Sequence, residues 1–361
     1  MNKKVAVIGG GIVGSCASFY LLQLGYQVDL YDDDGQGQAT SAAAGIICPW
    51  LSQRRNKAWY RLSCLGAKFY DKLLTDIQNH QLPTTFYKKT GAIVFKDTPE
   101  KLEKMYQVVL TRKQQAPEIG ELSWLNGNQF PEIINLGKGL LASGGALISG
   151  SDMIATLHKA CQQYLFRKIN KKIKLSDIES QYDAIILACG AWLKQTLDDP
   201  LLYVDIAPQK GQLFEFKLSN LDNKHYPLFM PQGELDLLPL DNGRWIVGAS
   251  HENNKGYDLR VDSHVIDPMK ETAQTWLNES ITIDKVRVGI RGYTSDFSPF
   301  IGQVMGYDNV FAVGGLGSSG LTTGAYLGYL LSLLVDHQEI EIDLNDYPID
   351  RYIYYKNKER S

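Results

Sequence analysis

At 361 residues, 44% hydrophobic and 21% charged, the chain has the makeup of a folded globular protein large enough for two or three cores. A formal charge of −3 leaves no basic stripe for a nucleic-acid backbone, and the densest basic run, 167–174, is short and reads as a solvated face. Cys16, Cys48, Cys64, Cys161 and Cys189 are scattered, without a CxxC or Cys/His cluster. That points to reduced cytoplasmic thiols and away from a metal site or disulfide framework.

The all-apolar run 5–8 predicts a strand buried on both faces of a parallel sheet. Glycines 9, 10, 11 and 14 follow, then a helix over 15–24 stopped by Gly25, then a second strand over 28–31. The glycines fall where a turn is needed and Asp29 and Asp32 come soon after, so this start is not read as a signal peptide. Residues 39–47 are small and glycine-containing, as in a close-packed loop or helix start. Helical spacing covers 62–78, a strand is expected over 90–95, and a polar surface helix over 99–113. Another buried strand, 184–187, runs into Ala188-Cys189-Gly190. From about 205 to 285 the pattern changes to alternating strands at 212–216, 235–240 and 245–247, with a hairpin signal at Asp241-Asn242-Gly243. A last buried strand, 310–313, leads through a glycine-rich turn into an apolar helix. Its stretch 321–335 is shorter than the roughly 20 residues of a membrane span.

The first unit carries chemistry. In Gly9-x-Gly11-x-x-Gly14, Gly9 permits the turn and Gly11 lets the backbone approach a pyrophosphate. Gly14 lets the helix pack on the strand. The helix start, with Ile12 and Val13, would offer free N–H groups and a positive dipole end to phosphate. Asp32, at the end of the second strand and followed by Asp33, is placed to hydrogen-bond a ribose. This is a dinucleotide site.

Four further segments resemble the D-amino-acid oxidase and glycine oxidase superfamily of FAD-dependent oxidoreductases. They are Ala39-Thr40-Ser41-Ala42-Ala43-Ala44-Gly45-Ile46, Ala188-Cys189-Gly190-Ala191-Trp192, the run 288–296 leading to Pro299-Phe300-Ile301-Gly302, and Gly314-Gly315-Leu316-Gly317-Ser318-Ser319-Gly320-Leu321. The resemblance implies an α/β fold. A discontinuous Rossmann-like FAD-binding domain would come from 1–85, 140–205 and 285–361, and a β-rich α+β substrate-binding domain from 86–139 and 206–284. It implies that Ala39, Thr40, Ser41, Ala44, Gly45 and Ile46 line the flavin and pyrophosphate, with Cys189, Gly190 and Trp192 beside them. The segment Gly315 to Leu321 would present N–H groups to the flavin edge that becomes negative on reduction; alternatively it is a tight connection capped by Ser318 or Ser319.

On the substrate side, the resemblance implies that Arg291 forks onto a substrate carboxylate, the geometry that guanidinium matches best. The other reading pairs Arg291 with Asp296. Some glycine oxidases carry a second arginine in the last motif, and 316–319 has none. Cys48 and Trp50 follow the flavin-side loop, where Trp50 is pocket wall or core and Cys48 inert packing. His251 either faces substrate or is a loop residue in solvent, and Tyr293 and Tyr257 are open candidates. No cysteine lies near 291–293, where some relatives attach flavin, so FAD is expected to be noncovalent.

The expected activity is oxidation of the C–N bond of a small amine or amino acid of the glycine, N-alkyl glycine or D-amino acid type. Hydride would pass to flavin N5, the imine would hydrolyse, and oxygen or another acceptor would take the electrons. No metal or nucleic-acid partner is expected, and the oligomeric state is open. The alternatives are oxidation of a larger substituted amine, as in tRNA-modifying FAD domains, a nicotinamide-dependent dehydrogenase, or a non-catalytic flavin-bound interaction protein.

Overall fold

The computed structural model describes residues 3–218 and 222–356, so the outermost residues of the expected 1–85 and 285–361 segments, and 219–221, lie outside the described residues. Strand Lys4–Ile8 sits at the centre of a six-stranded sheet, flanked by Gln27–Tyr31 and Ala184–Leu187. All its pairings are parallel except that of Phe300–Gln303 with Val310–Gly314 at one edge. The helix Ile12–Gln23 follows the first strand and is buried along almost its whole length. The sheet covers one side of it and the C-terminal helix Gly320–Val335 the other. That sandwiching explains its apolar perimeter and the lack of an amphipathic stripe. It begins at Ile12, three residues before the sequence pattern, because Gly11 caps it and Gly14 already packs inside the turn. A Cβ on Gly14 would come within 1.9 Å of the Gly9 carbonyl oxygen.

An eight-stranded sheet forms the second layer, in the order 283–293, 207–217, 244–248, 236–239, 228–230, 92–95, 138–142, 122–126. One face carries a core of Phe214, Phe216, Phe229, Leu237, Trp245 and Val247 under the helix Ser263–Gln274. Leu213, Leu228, Leu238 and Ile246 point the other way, into the core shared with the first helix and Trp50. The expected limits at 140 and 285 fall inside strands Lys138–Ala142 and Ile283–Tyr293 of this sheet. Strand Ile283–Tyr293 escaped the apolar-alternation signal, since Lys285, Arg287, Gly289, Arg291 and Gly292 interrupt it; its pairing along Ala207–Lys217 specifies it instead.

The basic run read as a solvated face begins inside an edge strand, Phe166–Ile169. Arg167 reaches back to the buried Asp29 with Nε and Nη2, at 2.9 and 2.6 Å. Lys4 and the Tyr182 hydroxyl complete the shell of that carboxylate, at 3.0 and 2.7 Å. These partners outweigh desolvation and hold Asp29 below the usual carboxylate range.

Candidate active site

A cavity of about 390 Å³ runs along the carboxyl ends of the parallel strands and under the edge of the large sheet. At one end it is lined by Gly9, Gly11, Ile12, Val13, Asp32, Asp33, Ala39 and Thr40. Cys189, Gly190 and Trp192 line its middle. Gly315, Leu316, Gly317, Gly320 and Arg291 close the far end. Segments far apart in the chain thus meet around one space.

The first helix starts at Gly11 with no side-chain cap, leaving first-turn amides for a ligand; the Ile12 N–H is met by Thr40 Oγ1 at 3.1 Å. Asp32 is buried behind the glycine turn. Its carboxylate accepts the Gly10 N–H, the Asp34 N–H at 2.7 Å and Gln38 Nε2 at 2.7 Å, so it fixes the loop while facing the cavity. The helix Gly320–Val335 likewise begins with no side-chain cap. Its loop is braced by Tyr293, whose hydroxyl accepts the Ser318 N–H at 2.9 Å. The Tyr293 ring packs so closely on Gly317 that a Cβ there would lie 2.0 Å from it, and Gly317 also has φ +51°. Two uncapped helix starts, an acidic group at one end and apolar walls between them fit an extended dinucleotide such as FAD.

Other sequence-selected residues lie outside the lining. Gly14 is under the turn, and Ser41 is exposed on the short helix Ala39–Ala42. Ile46 pairs with Leu147, and Ala44 and Gly45 precede it; a Cβ on Gly45 would strike the Ile148 carbonyl. Ser319 Oγ accepts from Trp59 Nε1 at 3.1 Å, and the Leu321 carbonyl accepts from the Tyr70 hydroxyl. Trp50 is 2% exposed, with Nε1 buried and unpartnered among the described residues. Cys48 is buried as well, which pushes its thiol up to about 12.

Arg291 is half-buried. Its Nη1 donates to Gln209 Oε1 at 3.2 Å and to the Ser250 carbonyl at 2.9 Å. Among the described residues no carboxylate lies within ion-pair distance of it. Asp296, the alternative partner, pairs instead with Arg351 at 2.9 Å and accepts from the Tyr352 hydroxyl. His251 is not among the residues that line the cavity, but it is close enough to Arg291 to feel its charge. It is exposed by area, yet partial desolvation and then the arginine's charge lower its pKa.

Sequence reasoning missed Gln38, Gln209 and Ser250, which hold Asp32 and Arg291, and the lining residues Lys171, Lys172 and Thr196. Tyr257, left open by the sequence, lines the cavity; its ring lies 5.4 Å from that of Trp192 and its hydroxyl donates to the Ala191 carbonyl at 2.8 Å. Gln209 is legible only from register, being paired directly opposite Arg291. Among the described residues no group of His, Cys, Asp and Glu could hold a metal ion, and no helix is long and apolar enough to cross a membrane.

The chain is 33% identical to the uncharacterized oxidoreductase YurR of Bacillus subtilis (strain 168), over 96% of this chain and 98% of that one. It is 22% identical to the glycine oxidase of Pseudomonas aeruginosa, over 95% and 97% of the two chains. Among solved structures it resembles iminodiacetate oxidase from Chelativorans sp. BNC1, with a TM-score of 0.89 and 28% identity over 96% and 98% of the chains. The family model of the DAO, FAD-dependent oxidoreductases matches residues 4–334, and the chain belongs to that family of FAD-binding enzymes.

Proposed function

We propose that this enzyme oxidises a C–N bond of a small amino acid, with an N-substituted glycine of the iminodiacetate type as the leading substrate, and holds FAD noncovalently. The observation that carries the reading is Arg291: a half-buried guanidinium on the cavity wall, anchored by two neutral acceptors and lacking a carboxylate partner. A partly desolvated cation without a counter-charge is costly, and a substrate carboxylate supplies the missing partner in bidentate form. The likeness to iminodiacetate oxidase supports a substrate carrying carboxymethyl groups.

Gly11, Ile12 and Val13 would hold the pyrophosphate, Asp32 with Gln38 the ribose end, and Gly317 to Gly320 the flavin end. Bound there, FAD supplies the acceptor for the two electrons of a substrate C–H bond. Arg291 orients the substrate by its carboxylate, and Leu316, Trp192 and Tyr257 give the cavity apolar walls that exclude water. Water then hydrolyses the released imine. From iminodiacetate this yields glyoxylate and glycine, with two electrons retained by the enzyme until oxygen or another acceptor takes them. The test is product analysis with iminodiacetate, N-methylglycine, glycine and D-alanine, in air and with an artificial electron acceptor. Equimolar glyoxylate and glycine from iminodiacetate is the expected result. No carbonyl product from any of them would sink the reading.

A further inference from the structure

Besides Arg287 and Glu215, which pair with each other at 2.7 Å, a further charged side chain stands on the face of the large sheet that carries Arg291. Asp236 pairs directly opposite Gly248, and Gly248 opposite Leu213. Leu213, Gly211 and Gln209 alternate along one strand, and Gln209 is opposite Arg291. Opposed residues share a face and so do alternate ones, which puts Asp236 and Arg291 on the same side. The guanidinium leans over Gly211, where a Cβ would come within 2.8 Å of it. Asp236 is therefore two strands across and two residues along from the guanidinium. At about 4.8 Å per strand and about 3.3 Å per residue, that is roughly 12 Å at the backbone. Side chains reaching inward leave a gap on the order of 9 Å. An α-amino acid bridging them needs two hydrogen bonds of about 2.8 Å plus a carboxylate-to-nitrogen reach of about 3 Å, which is the same span.

Asp236 is half-buried and has no hydrogen bond or ion pair among the described residues. The charged and titratable groups on that side are Cys48 on the packed 48–51 segment, the Arg287–Glu215 pair in neighbouring positions of the sheet face, and Arg291 across the gap; Glu234, two residues before Asp236, acts on His251. Glu252, the other buried carboxylate nearby, is held in place through Oε1, which accepts from Gln212 Nε2 and the Ser250 hydroxyl at 2.9 and 2.7 Å, while its Oε2 is buried without a partner among the described residues.

We infer that Asp236 is a catalytic residue that receives the substrate nitrogen and takes its proton, an inference that rests on the amino-acid reading above. An ammonium N–H bond breaks, its electron pair stays on nitrogen, and an O–H bond forms on the carboxylate. Nitrogen must regain that pair before the adjacent C–H bond can be oxidised, because the pair stabilises the developing iminium. Burial pushes the Asp236 carboxyl up to about 7, the range in which a general base works best near neutrality.

The test compares the FAD-loaded wild type with Asp236→Asn. Iminodiacetate should bleach the wild-type flavin anaerobically at a rate that rises with pH through about 7 and then levels. The variant should be roughly 30-fold slower at neutrality, lack that inflection, and recover only as the free amine itself deprotonates. Binding supplies a second readout. Diglycolate, with an ether oxygen in place of the N–H, should bind the variant at least as well as the wild type by calorimetry, while iminodiacetate binds it roughly tenfold more weakly. Asp236→Ser replaces Asn if that variant fails to load FAD. An unchanged rate and pH profile, or equal losses for both ligands, would overturn this inference alone. A wild type that iminodiacetate neither reduces nor binds overturns the substrate reading and this inference with it.

Discussion

Arg291 has spent one nitrogen on neighbours, Gln209 Oε1 and the Ser250 carbonyl, leaving Nε and Nη2 without a partner among the described residues. Those are the groups for a carboxylate. Arg291→Ala should therefore raise KM for a carboxylate substrate by about 2–4 kcal/mol, roughly 30- to 1,000-fold, with FAD still bound; steady-state kinetics on the yellow protein measure it. Gly211→Ala should act in the same direction more weakly, since its methyl would push the flexible end of Arg291 aside and leave the strand intact. Asp236 makes an opposite statement about stability. Its pKa is raised from 3.8 to about 7, so between those values the folded state binds more protons than the unfolded chain and stability falls as pH rises. Asparagine escapes that penalty. Asp236→Asn should be more stable than wild type at about pH 8, by up to about 4 kcal/mol, and melt at a higher temperature, and the gain should vanish at about pH 4. Calorimetry at the two pH values checks the sign.

At the scale of elements, the central sheet is tied by Asp29, a buried carboxylate that gathers Arg167, Lys4 and Tyr182 from three other segments. Its pKa is depressed, so its contribution is present above the ordinary carboxylate pKa and fades as acid protonates it. Asp29→Asn should cost about 2 kcal/mol at neutrality, because Arg167 and Lys4 can return to water, and chemical denaturation would show it. The first strand, glycine turn and helix were legible in the sequence because phosphate chemistry and close packing dictate which positions can be glycine. The Arg167 clamp was not. A basic run looks the same whether its side chains face water or one of them reaches a buried acid on the adjacent strand. Strand Ile283–Tyr293 was hidden for a related reason, since its specification lies in a partner some 70 residues away. Arg291 was picked out through family likeness, whereas Gln209, Ser250 and Asp236 became visible only once the register was known.

For the whole molecule, the cavity belongs to neither sheet alone. The Ile290 N–H donates to the Gly37 carbonyl at 2.9 Å, and Arg287 Nη1 to the Ala43 carbonyl at 3.2 Å; these bonds join the large sheet to the nucleotide side. A ligand spanning both parts stabilises the folded state by mass action, about 4 kcal/mol when free FAD stands at a thousand times its Kd. Stripping FAD should lower the melting temperature by several degrees, and adding it back should restore the loss, as a thermal melt would record. In the function proposed above, electrons leave a small carboxylate-bearing amine at a site built around Arg291. The most direct measurement is an anaerobic titration of the visible flavin band with iminodiacetate and its smaller relatives, in wild type and in Arg291→Ala. Bleaching of the wild type, with the variant needing far more substrate to reach it, is the expected result. A flavin that stays oxidised with every one of these amines, or a variant that bleaches at the same concentrations, would contradict that function.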